Sequence, residues 1–219
     1  MYGFPAVGAA LFGALGWLLG PPWAVVAGIL VGAVAGVWVL LMLFTRGKPD
    51  PELLLAAGRP QEAYRQLHYE LSFARVQARK RPILREVFAN QLETMSLVLQ
   101  ALGNEPKALE IATEAVGVYT DLSVKRHDRH ASALARSLLQ QGALLASMGR
   151  HGEALAAIEP ALQIYRRLAV KDRNAYLPSL IKALNSQADE LGHLDRITEA
   201  RTASAEAELI STDMLPSTQ

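Results

Sequence analysis

The stretch Leu138–Leu168, LLQQGALLASMGRHGEALAAIEPALQIYRRL, decides how the rest of the chain is read. Leu138, Leu139, Gly142, Leu145 and Met148 recur at three- and four-residue steps, which places them on one face of a helix. Gly149 then supplies a backbone able to take positive φ, a common way to end a helix. Beyond it, Ala154, Leu155, Ile158, Ala161, Leu162 and Tyr165 form a second apolar stripe. Gly142 and Ala154 have almost no side chain, so two helix backbones can approach closely there. Ala161 leaves room for the next helix. The stretch predicts two paired amphipathic helices broken at Met148–Gly149–Arg150.

The same signature recurs along the chain. Gly58 precedes Glu62–Ala63, Gly103 precedes Lys107–Ala108–Leu109, and Gly149 precedes Glu153–Ala154–Leu155. Gly192 precedes Glu199–Ala200 at a longer interval, so the last unit is degenerate. These glycines stand roughly 45 residues apart, and self-similarity at a fixed period is the mark of a solenoid. Helices are expected at 53–57, 60–79, 82–102, 105–125, 129–148, 151–170, 175–191 and 194–211, with Pro82 and Pro106 in the first turns of theirs. No strand is expected. Each unit can bury its apolar face only by stacking on a neighbour.

This pattern resembles the tetratricopeptide repeat (TPR). That family places small residues on two facing helices around a turn glycine, and Gly142, Ala154 and Ala161 stand in those places. Leu138 stands where the family has Trp, and the family's closing Pro is absent. The usual TPR period is about 34 residues. The longer period here is similar to the variety seen in kinesin light chains and many bacterial repeat proteins. The resemblance covers residues 53–210 and implies a protein-binding module. Its groove would be concave and lined by the first helix of each repeat.

Composition divides the chain in two. Of 219 residues, 51% are hydrophobic and 20% charged, with a mean hydropathy of +0.14. No Asp, Glu, Lys, Arg or His precedes Arg46. Residues 1–45 read as two apolar spans around Gly20–Pro21–Pro22. The second, Trp23 to Phe44, is roughly 33 Å long as a helix and can cross a bilayer core. The first, Tyr2 to Leu19, reaches roughly 27 Å and is marginal. Trp17 and Trp23 flank the break as aromatics do at a headgroup interface. A transmembrane hairpin puts both at the same surface. A secretory signal peptide fits less well, because no basic residue precedes the apolar run. Gly28, Gly32 and Gly36 form a GxxxGxxxG face suited to close packing in lipid, within the hairpin or between copies of the chain as a homo-oligomer.

Arg46 and Lys48 follow the second span directly, so the positive-inside rule puts both termini in the cytoplasm. The expected organisation is all-α: a membrane anchor (1–45), a linker (46–52), a TPR-like α-solenoid (53–210) and a polar tail (211–219). The protein is then an integral protein of the cell membrane, with its repeats in the cytoplasm.

The chemistry that the sequence excludes is as informative. The net charge is +1, which gives no reason to expect nucleic acid. There are no cysteines, and no nucleotide-binding, zinc-protease or hydrolase motif occurs. No enzyme, cofactor or metal is expected. His127 and His130 flank Asp128, but Lys125, Arg126 and Arg129 crowd them with positive charge, so 125–130 reads as a solvated loop. Lys and Arg outnumber Asp and Glu between Arg46 and Asn90, concentrated at Arg75, Arg79, Lys80, Arg81 and Arg85. That cluster can meet anionic headgroups or be a solvated helix end and turn.

The resemblance also implies groove residues. From Gly149 they are Arg136, Leu139, Ala143 and Ala146. From Gly192 they are Ser179, Lys182, Ser186 and Asp189. From Gly103, with the register open by one residue, they are Ala89, Leu92, Ser96 or Leu97, and Gln100. Leu92 and Leu139 would take an apolar anchor, and Arg136 and Lys182 an acidic group. The partner expected is a protein or peptide segment carrying both. The function expected is a membrane-anchored scaffold or adaptor, with an assembly subunit of a larger membrane complex as the alternative.

Overall fold

The structure, a computed structural model, describes residues 49–125 and 129–214. The chain divides into two units, Met1–Asp50 and Pro51–Gln219. The expected membrane hairpin lies outside the described residues. Among the described residues no helix is long and apolar enough to cross a membrane.

Among its described residues the second unit is built of helices and the short turns between them. Its elements are α1 (Pro51–Ala56), α2 (Pro60–Lys80), α3 (Arg85–Ala101), α4 (Glu105–Lys125), α5 (Ala131–Ser147), α6 (His151–Lys171), α7 (Arg173–His193) and α8 (Ile197–Met214). Each packs on its chain neighbours through short connections, so consecutive helices run antiparallel in a stack of pairs. Pro82 does not open α3 as expected. It starts a 3-10 turn, Pro82–Leu84, and the α-helix begins at Arg85. α1 begins inside the stretch read as linker, and α8 runs on to Met214, inside the stretch read as tail.

The turns explain the period. Gly58, Gly103 and Gly149 all have positive φ, at 69°, 74° and 72°. Each closes its helix with the same two bonds. At Gly149, its own N–H donates to the Ala146 carbonyl at 2.9 Å, and the Arg150 N–H donates to Leu145 at 2.9 Å. This is the Schellman arrangement, which satisfies the last carbonyls of a helix. The fourth turn differs from expectation. Gly192 lies within α7 and has no positive φ. Asp195 takes the left-handed conformation instead, at φ 57°, and the Arg196 N–H donates to Leu191 at 2.9 Å. The turn is therefore displaced along the chain, which is why Glu199–Ala200 follow Gly192 late.

Close approach is real at Gly142. A Cβ there would meet Ile158 Cγ1 at 2.8 Å and the Ala154 carbonyl oxygen at 3.3 Å. Ala154 and Ala161 are fully buried. The core falls into two main clusters. One joins α1 to α4 and includes Leu67, Leu92, Met95 and Val98. The other joins α5 to α8 and includes Leu162, Tyr165, Leu180 and Leu184. Leu145, Ala154 and Ala157 pack between them, against Leu109 and Ala146.

Candidate partner-binding groove

Alternation of helices places α1, α3, α5 and α7 on one side of the stack, and that side carries a groove of about 1020 Å³. Its lining comes from Glu52 and Leu55 on α1, from Asn90, Glu93, Thr94, Leu97 and Gln100 on α3, and from Arg136, Leu139, Gln140 and Ala143 on α5. Ser179, Lys182 and Ser186 on α7 complete it, with Tyr165 of α6 at its floor.

Gln100, Arg136, Leu139, Lys182 and Ser186 thus share one surface. Leu92 does not belong to it: the side chain is fully buried in the α1–α4 core, as is Ala89. The offsets that lead back from Gly149 to Arg136, Leu139, Ala143 and Ala146 lead back from Gly103 to Asn90, Glu93, Leu97 and Gln100. The expected α3 register was short by one residue at Ala89 and Leu92, and applying one offset to both glycines finds the observed set. Asp189 is exposed but stands outside the lining. Ala146, at the same offset from Gly149, stands outside the lining as well, whereas Ser179, Lys182 and Ser186, counted like Asp189 from Gly192, fall within it.

Glu93 was not expected and organises the floor. It is buried, and Arg136 reaches it with both arms, Nε to Oε1 at 3.3 Å and a terminal nitrogen to Oε2 at 2.5 Å. The Ser137 hydroxyl donates to Oε1 as well. The Tyr119 hydroxyl donates to Asn90 Oδ1 at 2.5 Å and lies 3.5 Å from Glu93 Oε2. Gln140 donates to Ser96 Oγ at 2.7 Å and to the Glu93 carbonyl at 3.3 Å. Arg136 and Ser137 supply the donors that the buried carboxylate needs, because each unsatisfied lone pair would carry a desolvation cost.

Titration follows from the same contacts. The hydrogen bond to Glu93 pushes the Arg136 guanidinium above its already high range, against the opposing effect of burial. Burial, reinforced by the Glu93 charge, pushes the Tyr119 hydroxyl far up from the usual tyrosine range. Burial also raises Tyr165, against a lowering hydrogen bond with Ser179. Arg136 therefore presents a pinned guanidinium whose charge is balanced beneath it. Lys182 is exposed, and among the described residues it has no ion-pair partner. Leu97 is 43% exposed, an apolar side chain open to the same space as Leu139.

One histidine reading changes. His130 is buried, not solvated, and lies 3.9 Å from Glu86. His151 stacks on His193 with ring centroids 4.2 Å apart, and its Nδ1 lies 2.8 Å from Glu190. Among the described residues, no group of three or more His, Cys, Asp or Glu is arranged to hold a metal ion.

The fold and this groove define a TPR-like α-helical repeat protein. Solved structures of low sequence identity share the fold. The nearly identical TPR-like repeats of a kinesin light chain candidate from Podosopora anserina are 17% identical, with a TM-score of 0.59 over 76% of this chain and 74% of that one. BtubC (BKLC) from P. vanneervenii is 16% identical, with a TM-score of 0.63 over 98% of this chain and 92% of that one. No family model matches the chain, and no curated protein matches it.

Proposed function

We propose that the chain is a membrane-anchored TPR-like scaffold that holds a segment of a protein partner in the groove of α1, α3, α5 and α7. The observation that carries this reading is the pairing of surfaces in one groove. Lys182 has no counter-ion among the described residues, while Leu97 and Leu139 offer apolar contact. Arg136 is offset by Glu93, so it serves as an oriented hydrogen-bond donor more than as a free charge. The partner segment, extended or helical, carries an acidic residue for Lys182 and an apolar one for the leucines. Arg136 had been expected to share the acidic group. Its pairing with Glu93 gives that role chiefly to Lys182.

The anchor belongs to the same proposal. Residues 1–45 carry no charge, and Arg46 with Lys48 orients the repeat unit to the cytoplasm. Resistance of the chain to alkaline carbonate extraction from membranes tests the anchor directly.

Crosslinking in intact membranes, followed by pulldown, tests the groove. Lys182→Glu, with helicity unchanged, should weaken retention of the captured partner about tenfold or more, since like charges then face each other. Undiminished retention would move the interface off this groove. A retained partner that is itself a membrane protein would favour assembly through the glycine faces of residues 1–45.

A further inference from the structure

The two ends of the helical stack have opposite character. At one end lie the four tight turns. Three of them carry an Arg–Glu clamp: Arg59 to Glu62 at 2.6 Å, Arg150 to Glu153 at 2.6 Å, and Arg196 to Glu199 at 2.7 Å. These pairs leave that end close to neutral. Its exposed large apolar side chains, Leu194 and Ile197, are 37% and 47% exposed.

At the other end the even-numbered helices finish and the next odd-numbered ones begin. Val170 and Ile83 stand there, 88% and 85% exposed, more than any other large apolar side chain among the described residues. Val124 is exposed in the last turn of α4. Arg79, Lys80 and Arg81 closely precede Ile83 in the chain, and all are exposed. The acids at this end are engaged. Asp121 pairs with Arg85 at 2.6 Å, Glu86 lies 3.9 Å from Arg129, and Asp172 accepts from the Ala175 N–H at 3.1 Å, capping α7. Positive charge is therefore left in excess beside protruding apolar side chains.

We infer that this end docks on an anionic phospholipid surface, with Ile83 and Val170 entering the interface and Arg79, Lys80 and Arg81 meeting headgroup phosphates. Water-exposed apolar tips ringed by cations suit a bilayer boundary, where both find partners at the same depth. The inference shares with the proposed function only the premise that residues 1–45 lie in a bilayer, and it owes nothing to the groove.

The chain has no cysteine, so Ile83→Cys, Val170→Cys and, as control, Asn104→Cys can each carry a single environment-sensitive fluorophore. The full-length chain would be reconstituted in vesicles of phosphatidylcholine, or of equal parts phosphatidylcholine and phosphatidylglycerol, each containing a lipid-bound quencher. Quenching is expected at positions 83 and 170, not at 104, only with phosphatidylglycerol, and is expected to fall as salt is raised. Arg79→Gln with Lys80→Gln and Arg81→Gln should shift the docking equilibrium about 100-fold, at roughly fivefold for each basic residue near the surface. Equal signals at 83, 170 and 104, or quenching indifferent to phosphatidylglycerol, would overturn the inference. If carbonate extracts the chain, the anchor reading fails. The same labels, read with the vesicles added to the protein, still decide docking.

Discussion

Two contacts join neighbouring helices of this protein by opposite means. At Gly142, α5 meets α6 through missing side chains, and the surfaces fit because nothing stands between Ile158 and the backbone. At Glu93, α3 meets α5 through a buried carboxylate held by Arg136 and Ser137. The first contact gains from close packing and tolerates no added volume. The second gains little net stability, because desolvating a carboxylate offsets most of the attraction. Its contribution is directional: it fixes where Arg136 points in the groove. One contact holds the stack together, and the other shapes what the stack can recognise.

The largest effect should come from filling the dry contact. Gly142→Leu should lower stability by about 3 kcal/mol, since overpacking costs roughly 1–3 kcal/mol and a rigid carbonyl lies in its path. Thermal unfolding in detergent, followed by helicity, would measure it. Gly142→Ala separates the causes. Its gain in helix propensity, about 1 kcal/mol, should roughly cancel the strain against Ile158. An unchanged midpoint for the Leu variant would mean that α5 and α6 do not meet there.

A smaller loss should follow Glu93→Gln. The carboxylate's charge disappears while the shape stays, at a cost of about 1–2 kcal/mol, moderated because Arg136 is more than half exposed and can rehydrate. The contrast with Gly142 would break if Glu93→Gln proved the more damaging of the two. The polar contact also predicts a dependence on pH that the dry one lacks. Tyr119 keeps its proton in the folded state well above the usual tyrosine range. As pH rises past about 10, the unfolded chain releases a proton that the folded chain retains, so stability falls. Tyr119→Phe should flatten that alkaline decline in denaturant midpoints measured across pH.

The smallest effect is expected at the fourth turn, and it is a gain. Asp195 holds φ 57° where the other three turns use glycine. Asp195→Gly should raise stability by about 0.5–1 kcal/mol by relieving the left-handed strain of a residue with a Cβ. A loss instead would show that the Asp195 side chain stabilises its turn by more than the strain it carries.

How legible was this protein beforehand? The small-residue contact was visible in one stretch, because Gly142, Ala154 and Gly149 are close in sequence and each has a local reason to be there. Most groove positions on α5 and α7 were visible too, once a turn glycine set the count. Leu92 was misplaced because a one-residue slip on a helix turns a side chain by about 100°, enough to move it from groove to core. Glu93 escaped notice because nothing about a glutamate in a helix announces burial. Its partners arrive from α4 and α5.

The sequence by itself determined that the chain makes paired helices at a long repeat, with glycine turns and small residues where pairs approach. These follow from backbone preferences and from the 3.6-residue period, both encoded within a single turn or helix. Only the tertiary structure decided that the fourth turn forms at Asp195, that Glu93 underlies Arg136, and that exposed apolar tips from separate helices share one end with the basic cluster. Those outcomes depend on residues tens of positions apart being brought within hydrogen-bonding reach, and on which acids are already engaged when they arrive. A one-dimensional pattern carries the first kind of information and not the second, because burial and pairing are properties of the packed stack.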